Sequence, residues 1–149
     1  MSKRVLLACL TPFLFGACTT LAPTQIVHTN SAEIAQLGPY THVVEAGGLV
    51  FVSGMIAHDK ESGFAVAEIA PQTHQVFANL EAALRAVDLT LDNVVKTTVY
   101  LKNPSDFSAM NEVYATYFTV NPPARTSVPG VDWGRGDILI EIEAVAVRR

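Results

Sequence analysis

An arginine and two glutamates in the last third of the chain have the types and spacing to work on a small anion. Arg125 follows the turn-forming run Pro122-Pro123-Ala124 and heads the segment Thr126-Ser127-Val128. A guanidinium presents a planar fork of donors, so one arginine holds a carboxylate through two parallel hydrogen bonds, fixing its orientation as well as its position. A small 2-keto or 2-imino acid is a matching ligand. Glu141 and Glu143 lie in a stretch from Ile138 to Val147 that alternates with period two. Ile138, Ile140, Ile142, Ala144 and Ala146 take one face of a strand; Leu139, Glu141, Glu143, Val145 and Val147 take the other. The second face mixes carboxylates with apolar side chains and is therefore not simply wet. Two glutamates at i and i+2 on such a face repel each other. Partial burial raises one pKa, which suits a general base working near neutral pH. Two plainer readings stand beside this one: a salt bridge from Arg125 to Glu141 or Glu143 within the sheet, and a solvated carboxylate, the latter fitting Glu143 better.

The rest of the chain supplies the elements that must position these groups. Leu37-Gly38-Pro39-Tyr40 is a turn, and Gly47-Gly48 joins two strands, Thr41 to Ala46 and Leu49 to Ile56, in a tight hairpin. In the second strand Val50, Val52, Gly54 and Ile56 share one face, with Phe51, Ser53 and Met55 on the other. His58 to Ala70, with no apolar period, reads as a loop. From Pro71 to Val87 the spacing turns helical, with Val76, Phe77, Leu80, Leu84 and Val87 as the apolar stripe. Asn93 to Leu101 is a third strand, with Val95, Thr97, Val99 and Leu101 opposite Val94, Lys96, Thr98 and Tyr100. Asn103-Pro104 breaks it, and Ser105 or Asp106 can cap a second helix whose inward residues are Phe107, Met110, Val113, Tyr114 and Tyr117. The strand headed by Arg125 then pairs with the 138–147 strand. The expected order is β-β-α-β-α-β-β, an α+β fold with two helices on one face of a mixed, mostly antiparallel sheet. Two helices cover one side only, so the side carrying Phe51, Tyr100, Leu139 and Val145 must meet something else, and association of subunits is the natural answer.

Pro123-Ala124-Arg125, a glycine-bearing loop, and Glu141-Ile142-Glu143-Ala144-Val145-Ala146, together with the turn Leu37-Gly38-Pro39-Tyr40, resemble in order and spacing the RidA/YjgF family of imine deaminases. The likeness runs from about Ala32 to Arg149. It implies a chorismate-mutase-like fold, a homotrimer with a cleft at each subunit boundary, and hydrolysis of reactive 2-imino acids to 2-keto acids and ammonia without a cofactor. It places the acidic group on Glu141 and the carboxylate clamp on Arg125. Tyr40, Ser53, Asn111 and Ser127 match positions that line the family's cleft. Each also has a plain structural alternative: a turn-packing ring, a small strand residue, an exposed helix residue and an edge hydroxyl. The chain departs from the family at several points. Ser127 stands where cysteine is common, Met55 where glutamine is common, and Thr41-His42 where Ser-Gln is usual. The loop Val128 to Asp137 is one residue longer than usual and holds Trp133, whose bulk bears on which substrate side chain fits.

With 149 residues, half of them apolar, the chain suits one domain with a sizeable core. Lys3 and Arg4 precede an uncharged run from Val5 to Ala17, too short to span a bilayer, which reads as a secretory signal. Phe15-Gly16-Ala17-Cys18 resembles the cleavage box of bacterial lipoproteins, with Cys18 as the acylated residue. A buried or disordered N-terminal helix is the plainer alternative. The expected organisation is a signal peptide at 1–17, a tether at 18–31 and the domain at 32–149, in an extracytoplasmic, periplasmic, lipid-anchored protein. Both cysteines, Cys9 and Cys18, fall outside the domain, which has no thiolate for catalysis or metal binding. Without residues 1–17 the chain carries 8 basic and 14 acidic side chains, a balance of −6 that is poorly suited to nucleic acid. The four histidines lack ligand spacing, so no metal is expected, and no glycine-rich phosphate loop or nucleophile elbow is present.

Overall fold

The computed structural model describes residues 25–65 and 67–148. The expected signal segment and Cys18 lie outside them. Six strands form one sheet in the order β1-β2-β3-β8-β6-β7: β1 Ile26–Thr29, β2 Val43–Ala46, β3 Leu49–Ile56, β6 Val94–Leu101, β7 Ala124–Pro129 and β8 Ile140–Val147. A small hairpin, β4 His58–Asp59 with β5 Gly63–Phe64, precedes helix α1, Ile69–Arg85, and helix α2 covers Phe107–Tyr117. Every pairing in the large sheet is antiparallel except β6 with β7. The chain crosses from β3 to β6 through α1 and from β6 to β7 through α2, moving the same way across the sheet each time. Crossovers of one hand moving in one direction place both helices on one face. The expected α+β architecture is therefore present.

Between helices and sheet lies one core. The α1 stripe of Val76, Phe77, Leu80 and Leu84 meets Val50, Val52, Val99, Leu101, Ile140 and Ile142, and Met110 and Tyr114 of α2 close its end. Gly47 and Gly48, at φ +59° and +81°, make the β2–β3 turn, a conformation that bulkier residues adopt at a cost. Gln72 of α1 is fully buried. Its amide donates to the Asp137 carbonyl at 2.8 Å and its carbonyl accepts from Leu139 N–H at 2.9 Å, so the helix itself fixes the approach to β8.

Several expectations need correction, each for a definite reason. Ile26–Thr29, inside the stretch read as a tether, is the edge strand β1 paired with β2; a four-residue strand is too short to announce itself by period. His58 to Ala70 holds the β4–β5 hairpin and the start of α1. The register of β3 against β8 slips between Val52 and Met55, a bulge that turns Met55 into the core. A second slip, between Val94 and Lys96, buries Val94 and exposes Val95. Strict alternation across either bulge inverts the faces beyond it. Phe107 is 40% exposed, not inward. Leu139 is already buried within the single chain, so it adds no exposed apolar surface to the open face. Finally, β7 pairs in parallel with β6 and not with β8, because β8 already has β3 on one flank and β6 on the other.

Candidate functional site

Glu141 projects from the middle of the sheet on the face away from the helices, since its neighbours Ile140 and Ile142 are fully buried on the helix side. Its carboxylate lies across Gly54 in the β3 bulge. A Cβ at position 54 would sit 1.7 Å from Oε1 and 2.6 Å from Cδ, so only glycine leaves room. Trp133 Nε1–H donates to Oε2 at 2.8 Å. Burial pushes the Glu141 carboxyl above the usual carboxylate range, the indole N–H pulls it down, and the nearby Glu143 charge adds to the rise. Tyr40 stands close enough for the Glu141 charge to help burial raise its phenol pKa. The loop that carries Tyr40 is tied down along its length. Gln36 donates to the carbonyls of Gly38 and Tyr40, Lys60 Nζ donates to Ala32 O at 2.6 Å, and Arg85 pairs with Glu33 at 2.7 Å. Deeper in, Ser31 N–H donates to Nδ1 of the buried His42 at 3.2 Å.

Arg125 belongs to a second locus. On β7 it is the register partner of Thr97, whose hydroxyl is buried on the helix side and shares a 2.8 Å hydrogen bond with Tyr114 OH. The guanidinium carbon sits 4.6 Å from the Tyr114 ring centroid and 5.8 Å from that of Phe107. A cation on two ring faces is oriented without any of its donors being used. Among the described residues Arg125 takes part in no ion pair, which removes the salt bridge to Glu141 or Glu143. Asn111 lies on the same side of α2 as Phe107 and Tyr114, four residues after one and three before the other, so helical spacing puts it beside the arginine. Ser127, two residues along β7, shares the arginine's face.

Ser53 sits in the β3 bulge next to Gly54. Its N–H donates to His42 O at 3.0 Å, and its buried hydroxyl has no hydrogen-bond partner among the described residues. It borders an open-face depression of about 330 Å³, shared with Phe51, Lys96, Thr98 and Glu143. The expected residues thus fall into two groups. Tyr40, Ser53 and Glu141 gather around Gly54; Arg125, Asn111 and Ser127 gather on α2 and the edge of β7. Within one protomer these groups are on opposite faces of the sheet, because Arg125 registers with Thr97 while Glu141 registers with Tyr100, an odd number of residues away. Sequence reasoning did not assign Gly54, Phe107 and Tyr114 to the site. A glycine inside a strand pattern was the available signal for Gly54. For the two rings, no signal set them apart from ordinary core aromatics.

Comparison with known proteins places this geometry. The family model described as Endoribonuclease L-PSP matches residues 30–148. A RutC family protein of Pyrococcus horikoshii is 42% identical over 125 residues, covering 83% of this chain and 98% of its own. The 2-iminobutanoate/2-iminopropanoate deaminase of Escherichia coli K12 is 37% identical over 129 residues, covering 85% of this chain and 99% of its own. The crystal structure of the YjgF gene product of E. coli superimposes with a TM-score of 0.73 at 35% identity, over 81% of this chain and 97% of that one.

Proposed function

The chain belongs to the RidA/YjgF family, and from that premise we propose that it hydrolyses reactive 2-imino acids to 2-keto acids and ammonia. The observation that carries the reading is Arg125: a guanidinium held on the Tyr114 and Phe107 rings, at the sheet edge, with no carboxylate among the described residues paired to it. Its fork receives the substrate carboxylate, with Asn111 and Ser127 alongside. Glu141, kept basic by burial, takes a proton from water as the water oxygen bonds to the imine carbon and the C=N π pair moves to nitrogen. Return of that proton to nitrogen gives the neutral carbinolamine. Glu141 then carries its hydroxyl proton to the amine nitrogen, and as the oxygen's electrons form the C=O bond the C–N bond breaks, releasing ammonia and the keto acid with Glu141 again ionised. Because imines of this kind already react with water, positioning supplies much of what is needed. Tyr40 and Ser53 complete the pocket around the carboxylate.

One protomer separates the clamp from the base, so the site is built from Arg125 of one copy and Glu141 of its neighbour in a homotrimer. The open face supports this assembly, with Phe51 44% exposed and registered against Val145. The test generates an imino acid with an amino-acid oxidase, traps it with semicarbazide, and compares wild type with Arg125→Ala. Equal trapping curves would exclude the reading. A non-catalytic trimer that captures a small carboxylate is the competing reading, favoured by tight keto-acid binding in calorimetry without deamination. RNA cleavage, suggested by the description of the family model, fits poorly with 14 acidic against 10 basic residues. We further propose that Cys18 is lipidated and the domain is held outside the cytoplasm; loss of palmitate labelling in Cys18→Ala tests this.

A further inference from the structure

Both oxygens of Glu141 are constrained. Oε2 accepts from Trp133 Nε1–H at 2.8 Å, and Oε1 fills the space left open by Gly54. Among the described residues Trp133 is the sole hydrogen-bond donor to this carboxylate. An indole N–H donates and cannot accept, so it gives nothing to an acid protonated on Oε2. A proton arriving at the group therefore belongs on Oε1.

The loop is built to hold the indole in place. Gly130 N–H and Val131 N–H donate to Leu101 O at 2.8 and 3.0 Å. Asp132 Oδ1 accepts from Gly134 N–H at 2.9 Å, closing a turn around Trp133. Arg135 grips Asp137 through two hydrogen bonds of 2.9 and 2.6 Å, and its guanidinium carbon stands 4.2 Å from the Phe64 ring centroid. Lys102 Nζ holds the Arg135 carbonyl at 2.6 Å. A catalytic group is only as well placed as the residues that support it.

We propose that Trp133 is a positioning residue for Glu141, its indole N–H fixing the rotation of the carboxylate and leaving Oε1 as the oxygen that takes the proton. The catalytic consequence rests on the deaminase reading; the effect on the carboxylate does not. The ionisable groups facing Glu141 are Glu143 on β8, Tyr40 on the N-terminal loop and Tyr100 on β6. Glu143 works to raise the Glu141 pKa, and Trp133 is the group that lowers it. Removing the N–H thus moves the titration upward.

The experiment replaces Trp133 in the full chain with β-(3-benzothienyl)alanine, which keeps the bulk and substitutes sulfur for N–H, and compares Trp133→Phe. Glu141 is followed by carboxyl carbon NMR, and imine hydrolysis is measured across pH. The expected result is a Glu141 titration about one pH unit higher, a tenfold change in its ionisation constant. Turnover on the acid limb falls roughly tenfold while KM stays within about twofold, because Arg125 is untouched. A titration that stays where it is in both variants overturns the proposal, whatever happens to the rate. Lack of turnover in wild type would count against the deaminase reading alone, since the titration is still read.

Discussion

Gly54→Ala applies a one-carbon perturbation whose consequence follows from the packing of Glu141. An added Cβ would lie 1.7 Å from Oε1, 2.6 Å from Cδ and 3.0 Å from Cγ. An ordinary nonbonded contact needs roughly 3.2 to 3.5 Å, so the carboxylate must retreat by about 1.5 Å or more. That retreat breaks the 2.8 Å bond from Trp133. A hydrogen bond to a charged group contributes about 1.5–3 kcal/mol, and misplacing a catalytic group by an ångström costs on the order of a hundredfold in rate. The obstructing atoms belong to the end of a flexible side chain and not to backbone. The fold should therefore persist, with its melting temperature lowered by only a few degrees. We expect kcat for imine hydrolysis to fall about a hundredfold, with KM nearly unchanged because the carboxylate clamp is elsewhere. The decisive assay is a double-mutant cycle with Glu141→Ala, in which the clash has nothing to act on. Gly54→Ala should cost almost nothing further in that background. Full activity in the single variant, or a loss of the same size in both backgrounds, would refute the reasoning.

The other predictions concern the clamp, the base and the open face. Arg125→Lys keeps the charge but loses the fork, and should lower kcat/KM about ten- to a hundredfold through KM, with Arg125→Ala lower still, in the semicarbazide assay. The Glu141 pKa is raised in the folded chain, so the native state binds more protons than the unfolded chain between the unfolded value of 4.5 and the higher folded one. This component of stability is complete below 4.5 and is lost as pH rises through the folded pKa. Thermal melts of Glu141→Gln should lack that loss and exceed wild type at neutral pH. Phe51→Glu on the open face should yield monomers by sedimentation and abolish turnover while leaving Arg125 and Glu141 chemically intact.

The sequence carried the fold further than it carried the site. Alternation in 138–147 and the helical stripe from Val76 to Leu84 reported burial directly, because one face of each element meets a continuous core. The signal failed where register slips, at Ser53-Gly54 and at Val95, since one extra residue exchanges faces without altering composition. Trp133 was legible as a departure in a lengthened loop, but its bond to Glu141 was not. That contact depends on the Asp132 turn and the anchors at Leu101, Lys102 and Gln72, which are distant in sequence. The division of the expected residues between two faces was likewise hidden. It follows from the parallel pairing of β7 with β6, and residue types along β7 do not reveal the strand's partner.

Subunit complementation tests most directly the claim that clamp and base come from different copies. Arg125→Ala and Glu141→Ala chains, each retaining only a small residual activity alone, are co-expressed in equal amounts and the mixed trimers assayed for imine hydrolysis. Random assembly should restore about one quarter of wild-type activity per site, the chance that an intact Arg125 meets an intact Glu141 across a boundary. Mixed trimers, verified by native mass spectrometry, with no activity above the parent variants would contradict a site shared between neighbours.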